Sequence, residues 1–227
     1  QTPWGLRPTA TCRITCFFFR SMKVSLRAQR EVTRTVLPSA STSMQSGPPG
    51  AGKGTQSDLV ARQRGLPKIA TGDIFRANVA GGTPLGVEAK RYMDAGEYVP
   101  DSVTNNMVRD RLTHDDARNG FLLDGYPRTL AQVGELDSML ADEGTALDRV
   151  VELTADTDEV VARLLNRALE QGRADDTEDV IRRRLEVYGE QTAPLTAVYA
   201  ERGLLTQVDG MGAVDEVTGR ILDELGV

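Results

Sequence analysis

Lys53 lies near the end of a run, Gly47-Pro48-Pro49-Gly50-Ala51-Gly52-Lys53-Gly54-Thr55, whose residue types suit one kind of chemistry, the binding of polyphosphate. The run fits G-x-x-x-x-G-K-[ST] except at its last place. Gly54 stands where Ser or Thr usually follows the lysine, and Thr55 comes one later. Glycines let a backbone turn several N–H groups toward a single anion. A helical pattern begins at once, with Leu59 and Val60 apolar among Gln56, Asp58, Arg62 and Gln63. The positive end of that helix dipole adds to the amides, and Lys53 supplies a mobile ammonium for the outer phosphates. A glycine-rich surface loop without chemistry needs neither the lysine at that offset nor the helix behind it. The stretch Gly50, Ala51, Gly52, Lys53, Gly54 and Thr55 is therefore read as a nucleoside-triphosphate site.

Other chemistries find few residues. His114 is the single histidine, in the polar run Thr113-His114-Asp115-Asp116, and reads as a solvated surface group. Cys12 and Cys16 are the only cysteines, both before residue 47. The remainder of the chain therefore has no structural disulfide, no four-cysteine zinc site and no Ser-His-Asp or Cys-His nucleophile. The net charge of −6 is uneven. Residues 1–46 hold six Arg, one Lys and only Glu31 as an acid, leaving 20 basic and 32 acidic residues in the body. So acidic a body argues against nucleic acid as a partner. Cations for an anionic substrate must then be gathered by the fold. No run is long and apolar enough to span a bilayer.

The 227 residues suit one α/β domain with small insertions. Behind the first glycines a helix is predicted to about Arg64, closed by Gly65. Lys68-Ile69-Ala70 is a short strand, and Thr71 or Asp73 can cap the helix after it. Two short amphipathic helices break at Gly81-Gly82-Thr83-Pro84, and Val99-Pro100-Asp101 punctuates and caps a third. Phe121-Leu122-Leu123-Asp124-Gly125 is a buried strand ending in an acid, and Gly125-Tyr126-Pro127-Arg128 turns into the helix of Leu130 to Leu140. Val150 to Leu153 is a strand followed by the helix of Val160 to Leu165. A helical run covers Val180 to Ala200 with a break at Pro194, then come strand Leu204–Val208 and helix Val214–Leu225. This alternation predicts an α/β fold with a doubly wound parallel sheet.

One place conflicts with that scheme. The strand entering a phosphate loop is buried on both faces and strongly apolar, yet here it reads Ser41-Thr42-Ser43-Met44-Gln45-Ser46. Exchanging aliphatic side chains there for polar ones forfeits roughly 1.5–3 kcal/mol each, which predicts a weakly stable chain. Residues 1–46 show no sustained helical or strand period. They read as disordered, as a non-native segment, or as an organellar targeting segment, the last not favoured.

The body, 47–227, resembles an adenylate kinase of the bacterial, short-lid type. The matching blocks are Gly-Pro-Pro-Gly-Ala-Gly-Lys-Gly-Thr-Gln at 47–56, Thr71-Gly72-Asp73 with Arg76, Leu-Asp-Gly-Tyr-Pro-Arg at 123–128 with Gln132, and Arg173 through Thr177 leading to Arg184. The resemblance implies transfer of a phosphoryl group from MgATP to AMP, giving two ADP, by a cytoplasmic monomer with small mobile insertions. It implies an AMP-binding region at 70–99 and a short lid at 168–178. It places Arg76 and Arg128 toward the AMP phosphate, Arg163 and Arg167 on the ATP side, and Arg173 and Arg184 on the transferring group. Arginines suit this work through their planar, two-pronged fork. Arg182 and Arg183 read as solvated neighbours of Arg184. Thr71, the backbone at Glu97, Tyr98 and Val99, the turn Gly125, Tyr126, Pro127, and the amide of Gln132 match the AMP positions, and Gly212 the backbone at the ATP base. Asp124, ending its strand beside the loop, is placed to hold Mg²⁺ through water rather than directly; no zinc is implied. Asp175 and Asp176 pair with arginines, cap the next helix or form a solvated turn. The alternatives are a kinase for UMP or CMP, distinguished by Thr71 with Gln132, and an inactive body weakened in its first strand.

Overall fold

A computed structural model describes residues 11–12, 16–19, 42–45, 48–171 and 177–226, with the side chains before residue 48 and those of 157–158 and 167–171 outside that description. Among the described residues seven strands form one sheet: β1 (Thr11–Cys12), β2 (Cys16–Phe19), β3 (Thr42–Gln45), β4 (Lys68–Ala70), β5 (Leu122–Asp124), β6 (Leu147–Asp156) and β7 (Leu205–Asp209). Their order is β1-β6-β2-β3-β5-β4, with β7 also on β6. β3 and β4 each pair in parallel with β5, and β7 with β6. β2 runs antiparallel to both β3 and β6, so β3 and β6 share a direction and the five strands from 42 onward are all parallel. The doubly wound reading of the body holds.

Helices cover both faces. α1 (Lys53–Arg64), α6 (Thr157–Gln171) and α9 (Val214–Leu225) lie on one side, α4 (Asp101–Leu112), α5 (Leu130–Asp142) and α8 (Leu195–Glu201) on the other. Neighbouring residues of one strand divide between these layers, as the two-residue period of a strand requires. Leu122 and Val151 pack with Val60, Leu164 and Ile221. Leu123 and Val150 pack with Val108, Leu136 and Tyr199. A third, small core of Phe75, Ala89 and Val99 belongs to α2 (Thr71–Ala80), α3 (Pro84–Ala95) and the loop after them. α7 (Glu178–Val187) runs into a π-helical turn, Tyr188–Thr192, before the break at Pro194. Among the described residues no helix is long and apolar enough to cross a membrane.

Several helix ends follow their sequence signals. Gly65 closes α1 in the left-handed region, its N–H donating to Ala61 and Arg62 carbonyls. Thr83 caps α3 ahead of Pro84, and Thr129 caps α5 through the Gln132 N–H. Two expected caps are corrected. Neither Thr71 nor Asp73 caps α2: Ala70 holds that place, and the Thr71 hydroxyl donates to the Gly125 carbonyl at 3.0 Å instead. Asp101 does not cap α4 either, because its carboxylate accepts from Thr129 Oγ1 and Gln132 Nε2 across the fold. In each case a tertiary acceptor or donor outcompetes the local amide.

The head departs from its aperiodic reading by contributing β1, β2 and β3. The strand before the phosphate loop is Thr42–Gln45 itself, with Ser43 opposite Leu122, Met44 opposite Leu123 and Gln45 opposite Asp124. Backbone pairing uses groups that every non-proline residue carries, which lets a polar segment take a central place. The same row of β5 aligns with β4, Ala70 opposite Asp124. Three parallel strands thus end together, and the loops leaving them converge. Because Ser and Gln have lower strand propensity than Val, by up to about 1 kcal/mol each, Ser43→Val with Gln45→Val is expected to raise the midpoint of thermal unfolding by several degrees. An unchanged or lower midpoint in a melting curve would show that β3 is not limiting.

Candidate active site

The loops that leave β3, β5 and β4 are those in which the sequence places the phosphate-binding glycines, Gly125–Arg128 and Thr71, respectively. Ligand sites in open parallel sheets lie at such carboxyl ends, where the strand order reverses. The glycine run turns through Gly50 and Gly52, at φ 89° and 86°, into the first turn of α1. Gly50 has a second reason to lack a side chain: a Cβ there would sit 2.6 Å from Leu164 Cγ and 2.7 Å from the Val160 carbonyl. α6 therefore lies directly against the loop backbone. Lys53 donates to the Pro48 carbonyl at 2.6 Å, arching back over the loop. Gly210, at the end of β7, approaches the Ala51 carbonyl, and Arg163 on α6 donates to the Gly210 carbonyl at 3.5 Å and to Glu159. Gly212 follows in a loop held by Arg220, which donates to the carbonyls of Asp209 and Met211. Gly50 through Thr55, Arg163 and Gly212 thus share one corner.

Asp124 is the anion at the centre. Its carboxyl faces the start of α1, with Oδ2 3.9 Å from where a Cβ on Gly54 would stand. Burial pushes its pKa up, and this outweighs the opposing fields of Lys53, Lys68 and Arg128. Those three cations come from separate segments, so the sheet has collected them. Lys68 is one the sequence reading passed over. Its ammonium bonds Asp58 at 3.0 Å, lies 3.4 Å from Asp73 and donates to the Gly54 carbonyl at 3.4 Å. Burial alone would lower its pKa, but Asp58, Asp124 and Asp73 together raise it. Nothing in a lone Lys-Ile-Ala strand signals that; only the β4–β5 register brings Lys68 to these acids.

The second half of the site is built on the turn after β5. Gly125, at φ 78°, has no room for a Cβ, which would fall 2.8 Å from Arg128 Nη2 and 3.0 Å from Thr71 Oγ1. Its carbonyl accepts from both Thr71 Oγ1 and Arg128 Nε, the latter at 2.8 Å. Gln132 is buried with its amide shared: Oε1 accepts from the Arg128 N–H at 2.7 Å and Nε2 donates to Asp101 at 2.6 Å. One N–H and one lone pair of that amide remain for a ligand edge. Tyr126 and Val99 turn their side chains into the cores, so only their backbones face the loops. Arg76 on α2 pairs with Asp73. Asp73 is depressed in pKa because these cationic partners outweigh its burial.

Arg184 reaches from α7 to the Met93 carbonyl at 3.5 Å, at the end of α3. Its neighbour Arg183, read as a solvated helix face, instead binds Glu97 at 2.6 Å across 86 positions of sequence, a link no local pattern announces. Arg182 does pair along its own helix, with Glu178. The backbone of Arg167 belongs to α6, but its side chain is outside the described residues, as are Gly47, Arg173, Asp175, Asp176 and the lid from 172 to 176. The first part of the expected lid, 168–171, extends α6.

A family model described as Adenylate kinase matches residues 45–204. Among curated relatives, an adenylate kinase of Nocardioides sp. is 66% identical over 181 residues, covering 80% of this chain and 95% of the relative. One from Kocuria rhizophila is 64% identical over 179 residues, 79% of this chain and 95% of its own. One from Pseudarthrobacter chlorophenolicus is 62% identical over 179 residues, 79% and 93%.

Two outcomes follow from this geometry. Gly50→Ala puts a Cβ against α6 at a strained φ, which is expected to cost about 1–3 kcal/mol, read as a lower denaturant midpoint at unchanged slope. Asp124→Asn has a pH signature. A carboxyl whose pKa is raised by folding contributes stability that is complete below its unfolded pKa and lost as pH rises through the folded value. The Asn variant is therefore expected to melt higher than the parent at pH 7, with the gain gone near pH ~4. An equal gain at both pH values would remove burial as the cause.

Proposed function

The chain belongs to the adenylate kinase family, and on that premise we propose how its residues divide the reaction, the reversible transfer of a phosphoryl group from MgATP to AMP to give two ADP. The observation that carries the reading is the convergence of Lys53, from the start of α1, with Asp124 and Arg128, from the end of β5 and the turn after it, at the shared end of β3 and β5. Phosphoryl transfer asks little covalent help of a protein. It needs two anionic substrates in line, water excluded, and positive charge along the path of the moving group. Lys53 and the amides from Gly50 to Thr55 hold the ATP phosphates, with Arg163, Arg167 and the Gly212 backbone at its other end. Arg76 and Arg128 hold the AMP phosphate, Arg173 and Arg184 the transferring group.

Thr71, the backbone from Glu97 to Val99, the turn Gly125 to Pro127, and the free edge of the Gln132 amide receive AMP. Asp124 fits Mg²⁺ held through its water shell: it is a single acid beside Lys53, and among the described residues no three His, Cys, Asp or Glu side chains gather to bind an ion directly. When bound, the ion neutralises phosphate charge. The region 70–99, with its own small core, and the lid at 168–178 close over the substrates to keep water from competing as acceptor. The enzyme works as a monomer in the cytoplasm, its kinase body being residues 47–227 together with β3, which leads into the phosphate loop.

Two measurements test this. A coupled assay across monophosphates is expected to give turnover with AMP far above UMP or CMP; equal turnover with UMP would move the chain to another monophosphate specificity. Lys53→Met is expected to lower kcat by roughly 10²–10³-fold, the scale of losing one donor to a developing charge. Unchanged kcat would detach Lys53 from the transferring phosphate.

A further inference from the structure

Arg128 is held on more sides than a phosphate-binding arginine requires. Its Nε donates to the Gly125 carbonyl at 2.8 Å, which fixes one edge of the guanidinium. Its Cζ stands over the Tyr98 ring, 4.9 Å from the ring centre. Its own backbone carbonyl accepts from Thr192 Oγ1 at 2.9 Å. The hydroxyls of Tyr98 and Thr192 lie 2.8 Å apart. Because Thr192 has one hydroxyl proton and commits it to the Arg128 carbonyl, the phenol must be the donor in that pair. The bonds close a circuit through three elements: the turn after β5, the loop between α3 and α4, and the π-helical turn. Among the described residues neither terminal nitrogen of Arg128 has a hydrogen-bond acceptor, so its two-pronged edge stays open.

We propose that Tyr98, anchored by Thr192, is a positioning residue for Arg128: the ring sets the plane of the guanidinium so that its open edge meets the acceptor phosphate two bonds at a time. This role belongs to the side chain and is separate from the backbone contact assigned to the same loop. It rests on the reading that Arg128 binds the AMP phosphate. The chemistry favours it, because a cation over an aromatic face is attracted by the ring quadrupole, and a planar fork gains from fixed orientation more than a point charge does. The circuit also makes the arm that carries Tyr98 and the helix that carries Arg184 share one contact, so both report on where Arg128 sits.

The test is a double-mutant cycle read in steady-state kinetics with AMP and MgATP varied separately, each variant first checked by its melting curve. Tyr98→Leu is expected to raise KM for AMP about tenfold, the scale of a lost cation–π contact, with KM for MgATP within about twofold. Tyr98→Phe keeps the ring and is expected to stay within about threefold of the parent. Added to Arg128→Gln, Tyr98→Leu is expected to raise KM for AMP no further, because groups acting through one another are not additive. Additive effects would overturn the proposal, since the ring would then act on AMP without Arg128. So would a Tyr98→Leu enzyme with parental KM for AMP while Arg128→Gln raises it. An Arg128→Gln enzyme with parental KM for AMP would remove the phosphate reading of Arg128 itself, and the proposal with it.

Discussion

Positive charge has to be concentrated at one end of a sheet in a chain whose net charge is −6, and the way those cations are held governs the rest of the structure. Lys53, Lys68, Arg128, Arg163 and Arg184 each donate to a backbone carbonyl, of Pro48, Gly54, Gly125, Gly210 and Met93 respectively. A carbonyl orients a cation without cancelling its charge, which a carboxylate would do. Lys68 and Arg163 pair with acids as well, Asp58 and Asp73 in the first case and Glu159 in the second, while Arg128 is oriented by a carbonyl and keeps its field. The carbonyls of Pro48, Gly125 and Gly210 are presented from loops, those of Gly54 and Met93 from α1 and α3. Acids sit in fixed places: Asp73 balances Arg76 and, with Asp58, Lys68, and Asp124 faces the three cations around it. The aligned ends of β3, β4 and β5 make that arrangement possible by bringing the bending segments side by side.

Much of this was legible in the sequence because the signals are local. The 53–64 and 214–225 helices, the closure at Gly65, the break at Pro194 and the acid ending Phe121–Asp124 all rest on patterns within a few residues, and the structure has them. The misreadings share one cause. Thr71 and Asp101 have the right types to cap helices, yet partners far along the chain claim their side chains. Arg183 looks like its neighbour Arg182, and only the approach of Glu97 separates a cross-fold tie from a solvated helix face. Lys68 becomes a member of the site solely through strand register. Local preference is a fraction of a kcal/mol per residue, and a single well-placed tertiary hydrogen bond, about 1 kcal/mol, reverses it.

The first strand shows the opposite limit. Thr-Ser-Met-Gln gives no hydrophobic reason to lie at the centre of a parallel sheet, yet that is the place it takes, with β2 running antiparallel between it and β6. What defines the position is the geometry around it: β5 offers an open row of backbone groups, and the glycine loop and α1 must start where β5 ends. Side-chain pattern selects a strand when several candidates compete; chain connectivity selects it when only one can reach.

The π-helical turn at Tyr188–Thr192 has its own consequence. The Ala193 N–H reaches back five residues to Tyr188 rather than four, so the chain gains a residue per turn and everything after it is rotated relative to a continuous α-helix. Arg184, before the turn, addresses the end of α3, while Thr192, at the turn's last residue, addresses Arg128. One rod is thereby read at two angular phases. The insertion works as a phase shifter, and its value lies in its length: the two ends can aim at different segments only while the odd residue is kept between them.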